Sequence, residues 1–176
     1  MPARPKSEAE KVAFLLKRAH DGDPWHGPSR AALLKHVDAR IAAWDPGAGA
    51  HSIWQQVLHM RNWTREVEAR VLGADPRREG VPLGGDWPAV TDTRVDAWAE
   101  TLASLDAAHE QLARLTLTLS AAQLDARVGV TVDAPGGSGI KVSAMLRSLA
   151  EHDIYHCGMI SLLNRLARAS LGLAQL

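Results

Sequence analysis

The chain has 176 residues and a mass of 19.0 kDa. This length is enough for one domain with a sizeable core but short for two domains. We therefore expect a single domain over residues 1–176. Twenty Lys and Arg balance twenty Asp and Glu, which argues against nucleic-acid binding through bulk positive charge. The lone cysteine, Cys157, excludes an intramolecular disulfide and a Cys-rich zinc finger.

The sequence also favours a cytoplasmic protein without a membrane partner. No apolar run approaches the ~20 residues of a membrane span. The first residues, Met-Pro-Ala-Arg-Pro-Lys, do not lead into a signal-peptide core.

Clusters of glycine and proline divide the chain into segments with helical periodicity. Ser29 is a candidate N-cap for the second segment, and Ser52 with Gln55 forms a possible capping box for the third. Strand-like alternation is confined to a short Val128-Gly-Val-Thr-Val132 segment. In chain order, the predicted helices cover about residues 8–20, 29–44, 52–73, 91 or 93 to 112, and 143–166. This pattern predicts an all-α fold, a four-helix bundle with a short additional N-terminal helix.

The last predicted helix contains two histidines in its apolar seam, where a bundle normally places apolar residues. His152 and His156 are four residues apart, so both rings lie on one face of the helix, one turn apart. Two imidazoles so placed can bind one metal ion at ~2.0–2.1 Å. The alternative is a pair of core histidines satisfied by hydrogen bonds, and the position of both in the seam favours the metal.

A third metal ligand has to come from another helix, and two histidines are candidates. His59 lies on the edge of the apolar stripe of the third helix, and His109 lies on the seam of the fourth. Periodicity alone slightly favours His109, because a seam position is buried more surely than an edge. For four other histidines we expect solvated or capping roles: His20, His26, His36 and His51.

Three segments resemble a known family. The string His152-Asp-Ile-Tyr-His156-Cys-Gly-Met-Ile160 is similar to the H-x-x-Y-H-x-G-Q-I signature of the DinB/YfiT-like superfamily. Residues 52–63 resemble the upstream histidine helix of that family, and residues 25–29 resemble an entry loop of one of its branches. The resemblance extends over nearly the whole chain in the same order. It implies a four-helix bundle, commonly dimeric, with a divalent metal held by three histidines.

Carried over by position, the three ligands fall on His59, His152 and His156. The resemblance thus selects His59 over His109, a choice that spacing does not make. The chain departs from the signature at Met159, where the family usually has glutamine. That glutamine could serve as an outer hydrogen-bond partner of the site.

Three neutral imidazoles would leave the charge of a divalent ion uncompensated and at least one coordination position open, which is typical of a catalytic site. Zinc or nickel suits imidazole ligands best, with manganese or iron less favoured. Such an ion lowers the pKa of a coordinated water or thiol. Related enzymes of the family include S-transferases and an isomerase that use low-molecular-weight thiols such as bacillithiol or mycothiol.

The resemblance therefore implies a small-molecule substrate, such as a low-molecular-weight thiol, and a homodimer. It favours a metal-dependent transferase or hydrolase in detoxification or stress response. The alternative is a non-catalytic stress-response scaffold or binding protein that retains the family fold.

Four residues near these histidines have two readings each. Asp153 could accept a proton from the ring of His156, but a solvated surface aspartate is favoured. Cys157 is turned away from the ligand face, and a small buried residue is expected there rather than a ligand. Gly158 fits either a close helix approach or mere tolerance of glycine in a helix. Trp63, one turn beyond His59, fits either a cavity wall or the core.

Overall fold

The structure is a computed structural model, and it describes residues 7–73, 82, 84–128 and 139–174. Two short antiparallel strands pair Arg127 with Lys141 and Val128 with Ile140. Of the strand-like segment expected at 128–132, only Val128 lies within the described residues. The elements in chain order are α1 (Glu8–His20), α2 (Arg30–Leu34), α3 (Ala39–Ala42), α4 (Ile53–Val71), α5 (Val95–Thr118), α6 (Ala121–Asp125), β1 (Arg127–Val128), β2 (Ile140–Lys141) and α7 (Val142–Ser170).

The four long helices form the bundle. Helix α1 packs against α5 and α7, and α4 packs against the same two helices. The prediction of an all-α four-helix bundle is confirmed. No helix in the described part of the chain is long and apolar enough to cross a membrane.

The start of α4 follows the expected capping box. The Ser52 hydroxyl accepts a hydrogen bond from the backbone N–H of Gln55 at 3.2 Å, and the Gln55 side chain accepts one from the backbone N–H of Ser52 at 3.1 Å. These two bonds satisfy N–H groups that the first turn of a helix leaves without partners. Helix α4 therefore begins at a fixed residue, which sets the position of every side chain along it.

The expectation of one continuous helix over residues 29–44 is wrong. The chain forms α2 and α3 instead, because Asp38 interrupts the helix and caps a new one by accepting a hydrogen bond from the backbone N–H of Ile41 at 2.8 Å. Ser29 is the N-cap residue of α2, but its side chain makes no capping hydrogen bond. Aspartate competes with the helical backbone in this way at many helix starts.

Two apolar clusters fill the bundle, and a layer of buried polar side chains separates them along the long helices. One cluster includes Ile53, Leu105 and Ile160, and the other includes Leu16, Leu112 and Leu146. On α7 the polar residues Asp153 and His156 lie between the segments that enter the two clusters. The buried polar side chains include His20, Arg30, Gln56, His59, Asn62, Thr64, His109, Asp153 and His156.

One part of this layer is a buried charge cluster of Arg30, Asp153, His109 and His20. Arg30 Nη1 lies 2.9 Å from Asp153 Oδ2, and His109 Nε2 lies 2.6 Å from the same oxygen. Arg30 Nη2 also donates to His20 Nδ1, and the His20 ring stacks on His109 at 5.0 Å. Burial and the Arg30 charge lower the pKa of His20 to about 3, so this ring is neutral and can accept the hydrogen bond.

Two expectations are corrected by this cluster. Asp153 is fully buried rather than a solvated surface aspartate. Burial alone would raise its pKa, but the charges of His109 and Arg30 hold that pKa below its ordinary value. His20 is buried rather than solvated. His109 is buried, as its seam position suggests, but it is bonded to the carboxylate of Asp153.

We expect Arg30→Met to lower the free energy of unfolding by roughly 3–5 kcal/mol, because removing one member of a buried ion pair leaves the other charge without compensation. Urea denaturation at neutral pH measures the loss. Lys17→Met is the matched control, since it removes the exposed pair that Lys17 forms with Asp21 and should cost at most about 1 kcal/mol. Equal losses in the two variants would contradict a structural role for the buried cluster.

Candidate metal centre

Three histidine side chains from two helices meet in the polar layer. Nε2 of His152 lies 3.0 Å from Nε2 of His59 and 3.0 Å from Nε2 of His156. One ring nitrogen from each of the three lies within 4.8 Å of the others. Because Gln56 contacts His156 while His59 contacts His152, α4 and α7 run antiparallel at this point. We call His59, His152 and His156 the histidine triad.

Hydrogen bonds on the far side of two rings fix which nitrogen faces the centre. His59 Nδ1 lies 2.8 Å from the backbone carbonyl oxygen of Asp86, and His156 Nδ1 lies 2.6 Å from Oε1 of Gln56. Both partners are acceptors, so each Nδ1 carries the proton and donates it. The Nε2 lone pairs of His59 and His156 therefore point into the triad. This is the arrangement that second-shell partners impose on metal-binding histidines.

The third ring has a different environment. His152 Nδ1 is buried without a hydrogen-bond partner among the described residues, and so is Asp153 Oδ1, which lies 3.8 Å away. The neighbouring buried carboxylate is thus the acceptor nearest to the remaining ring proton.

The triad fits one divalent metal ion. Burial lowers the pKa of His59, and burial together with His152 and His59 lowers the pKa of His156 to about 3. These two rings are therefore neutral at physiological pH, as metal ligation requires. Two nitrogen ligands at ~2.0–2.1 Å from one ion lie about 2.9–3.4 Å apart, and the observed Nε2 separations of 3.0 Å are within that range.

A short loop closes the site from the side of α4. The side-chain amide of Asn62 donates to the backbone oxygen of Gly85 at 2.8 Å, and Trp63 Nε1 donates to Asp86 Oδ1 at 2.9 Å. Gly84 has φ +91°, and a Cβ there would lie 3.0 Å from the Asn62 amide nitrogen. Glycine suits this position because of both its backbone conformation and the close approach of the helix.

Trp87, from the same loop, lies between two histidine rings. Its ring stacks on His51 at 3.7 Å and on His59 at 3.9 Å, with interplanar angles of 5° and 10°. The solvated or capping role expected of His51 is therefore corrected, because its ring packs against this tryptophan. Stacking on both faces holds Trp87 against the triad and fixes the plane of the His59 ring.

A cavity of about 500 Å³ opens beside the triad. The His152 side chain is 28 % exposed, so the triad is accessible on the cavity side. Trp63 lines the cavity and also packs against the apolar cluster that includes Leu112, so it has both of the roles expected for it. The lining residues are His59, Trp63, Val67, Arg70, Asp86, Trp87, Met145, Ser148, Leu149, His152, Tyr155 and His156.

The residues that flank the triad on α7 take other roles. Cys157 is buried, and burial raises the pKa of its thiol to about 12, so a small buried residue is confirmed there. Asp153 does not contact the His156 Nδ1, because Gln56 occupies that position. Met159 does not line the cavity. A Cβ at Gly158 would meet no atom within 4 Å, so no neighbouring helix of the same chain requires the glycine.

Sequence reasoning missed four residues that support the site: Gln56, Asn62, Asp86 and Trp87. Gln56 and Asn62 each lie three residues from His59, so the helical repeat places them near it. That proximity is the only signal the sequence offered. Asp86 and Trp87 lie in an irregular loop, where no periodicity indicates which side chains point inward.

A model of the DinB superfamily matches residues 16–160, which include the whole triad. No curated protein and no solved structure gives a significant match.

We expect the purified protein, loaded with zinc, to retain about one equivalent of metal. His59→Ala and His156→Ala should abolish that retention, whereas His36→Ala, at an exposed position outside the triad, should not change it. Gln56→Leu removes the acceptor of the His156 ring proton and should weaken zinc binding roughly 10–100-fold. Elemental mass spectrometry and competition with a chelator measure the two effects. Full metal content in His156→Ala would contradict the site.

Proposed function

The chain belongs to the DinB superfamily, and on that basis we propose that it is a metal-dependent thiol S-transferase acting in detoxification or stress response in the cytoplasm. His59, His152 and His156 would hold the ion, with zinc or nickel the best match to three imidazoles. The observation that carries this proposal is the convergence of three ring nitrogens at the wall of an accessible cavity of about 500 Å³.

The number of candidate ligands supports an enzyme over a scaffold. The cluster found among the described residues contains three histidines and no fourth His, Cys, Asp or Glu. A structural zinc site is normally closed by four protein ligands, whereas a catalytic site keeps one position open. Here the partly exposed His152 faces the cavity, so a small molecule can reach the position that a fourth ligand would occupy.

When bound, a divalent ion supplies Lewis acidity that lowers the pKa of a coordinated thiol or water. The chain's own residues prepare the site for this. The Asp86 carbonyl and Gln56 orient two of the three rings. Trp63 and Trp87 line the cavity and keep water from much of its wall, which strengthens electrostatic interactions inside it.

The proposed reaction joins a low-molecular-weight thiol to an electrophilic carbon. The sulfur electron pair forms the new carbon–sulfur bond, and the pair of the broken bond leaves with the leaving group. The thiol proton passes to water, so the products are a thioether and the protonated or anionic leaving group. No oxidant or reductant is consumed.

We expect the zinc-loaded or nickel-loaded protein to accelerate the reaction of monochlorobimane with at least one thiol from a panel of bacillithiol, mycothiol, glutathione and cysteine. Fluorescence of the bimane thioether measures the rate, and a gain of at least about tenfold over the uncatalysed reaction would count as catalysis. His156→Ala should lose the gain, and His36→Ala should keep it. Tight thiol binding without turnover would instead support the binding-protein alternative.

We also propose that the protein is a homodimer joined through the outer face of α7. Tyr155, Leu162 and Leu166 on this face are 66 %, 45 % and 46 % exposed. With the partly buried Met159 they follow each other at intervals of four, three and four residues, which is the spacing of a coiled-coil seam. Such a stripe can pair with its own copy about a two-fold axis. The open space beside Gly158 allows a second helix to approach closely.

Light scattering coupled to size-exclusion chromatography should give about twice the chain mass of 19.0 kDa for the unmodified protein. The double variant Leu162→Glu/Leu166→Glu should elute as a monomer, because it places charges in the apolar seam. Leu117→Glu changes an exposed leucine of α5 and should leave the dimer intact. A monomeric unmodified protein at all concentrations tested would overturn the proposal.

A further inference from the structure

The cavity has a cationic end that the histidine triad does not explain. Arg70 lies on α4 three turns beyond His59 and lines the same cavity. Its guanidinium carbon is 5.8 Å from the ring of Trp63, and that ring is 6.3 Å from the rings of both His59 and His152. These distances place the guanidinium at most about 12 Å from the triad. A single small molecule can therefore contact both.

Two contacts hold the guanidinium and leave part of it available. Arg70 Nε donates to Oε1 of Glu66 at 2.8 Å, and Glu66 is almost completely buried. The guanidinium also lies over the face of Trp63, a favourable position for a cation. No described residue accepts a hydrogen bond from the two Nη groups of Arg70. The fixed guanidinium thus retains both of its Nη groups as donors for a ligand.

The two ends of the cavity carry opposite charges. Among the described residues that line the cavity, Arg70 is the only lysine or arginine, and Asp86 is the only aspartate or glutamate. Asp86 lies at the triad end, where its Oδ1 is 3.2 Å from His59 Nδ1. A ligand anion is repelled by Asp86 at that end and attracted by Arg70 at the other. Between them the walls are apolar, formed by Trp63, Val67, Met145 and Leu149.

We infer that the cavity selects a small molecule with a carboxylate at one end, bound by Arg70, an apolar middle and a thiol at the triad end. The inference rests on the proposed function, and it specifies that the thiol substrate carries a carboxylate. A carboxylate fits better than a phosphate dianion, because one guanidinium matches the two oxygens of a carboxylate and no second lysine or arginine lines the described cavity. Arg70 is then a specificity residue and does not take part in the bond-forming step.

The test compares two thiols of equal length, mercaptohexanoate and mercaptohexanol, which differ in the charge at the far end. Binding to the cobalt-substituted protein is followed by the thiolate-to-cobalt absorption band, so no turnover is needed. We expect the unmodified protein to bind mercaptohexanoate roughly tenfold more tightly than mercaptohexanol, as a charge-assisted hydrogen bond provides. The double variant Glu66→Gln/Arg70→Gln removes the two opposite charges together and should bind both thiols equally.

Arg65→Gln is the matched control, because Arg65 is an exposed arginine of the same helix outside the cavity; this variant should keep the tenfold preference. Arg70→Lys is a second variant that keeps the positive charge and loses the planar pair of donors, and its preference should fall below that of the unmodified protein. Equal binding of the two thiols to the unmodified protein, or an unchanged preference in the double variant, overturns the inference and leaves the proposed function standing. Failure of mercaptohexanol itself to bind overturns both.

Discussion

The buried carboxylate of Asp153 is the constraint on which the site depends. An ionised carboxylate is stable in the interior only when charges and hydrogen bonds compensate its lost hydration, and here Arg30 and His109 do so from two other helices. Helix α7 can therefore neither slide nor rotate without breaking those bonds. Because Asp153 is next to His152 and three residues before His156, the bonds that fix Asp153 also fix both rings opposite His59.

The hydrogen bonds that orient two of the triad rings go to uncharged groups. The ring protons of His59 and His156 are donated to neutral acceptors, the Asp86 carbonyl and the Gln56 amide. Two carboxylates also lie nearby: Asp86 Oδ1 is 3.2 Å from His59 Nδ1, and Asp153 Oδ1 is 3.8 Å from His152 Nδ1. An ion held by the triad would have three neutral ligands, so its positive charge would be offset only in part, by these two neighbouring carboxylates. The carboxylate of Asp153 already interacts with Arg30 and His109, which limits how much of the ion's positive charge it offsets.

The sequence predicted the four long helices and two histidines of the triad because both depend on local periodicity, but it missed the break between α2 and α3. Capping residues Ser52 and Gln55 and the four-residue spacing of His152 and His156 are local signals. Local periodicity could not decide between His59 and His109, because both are buried. The rotation of each helix about its axis decides which of the two rings lies beside His152 and His156. Asp153 was misjudged for the same reason, since its partners lie 123 and 44 residues away. The position of Trp87 could not be predicted from periodicity, because it lies in an irregular loop.

One histidine of the triad and the residues that we propose select the ligand lie on the same helix, α4, but at different heights. His59 belongs to the polar layer, where its neighbours are fixed by buried hydrogen bonds, whereas Trp63, Val67 and Arg70 line the cavity one, two and three turns further along α4. Trp63 also contacts the His59 and His152 rings, so the positions best placed to change the shape and charge of the cavity without moving the ring nitrogens are Val67 and Arg70. A fold built this way can keep one metal chemistry and change its substrate through a few cavity residues. The pairing of Arg70 with the buried Glu66 indicates that the charge at this end is held in place by the bundle, so the selection that we propose would rest on a rigid helix rather than on a loop.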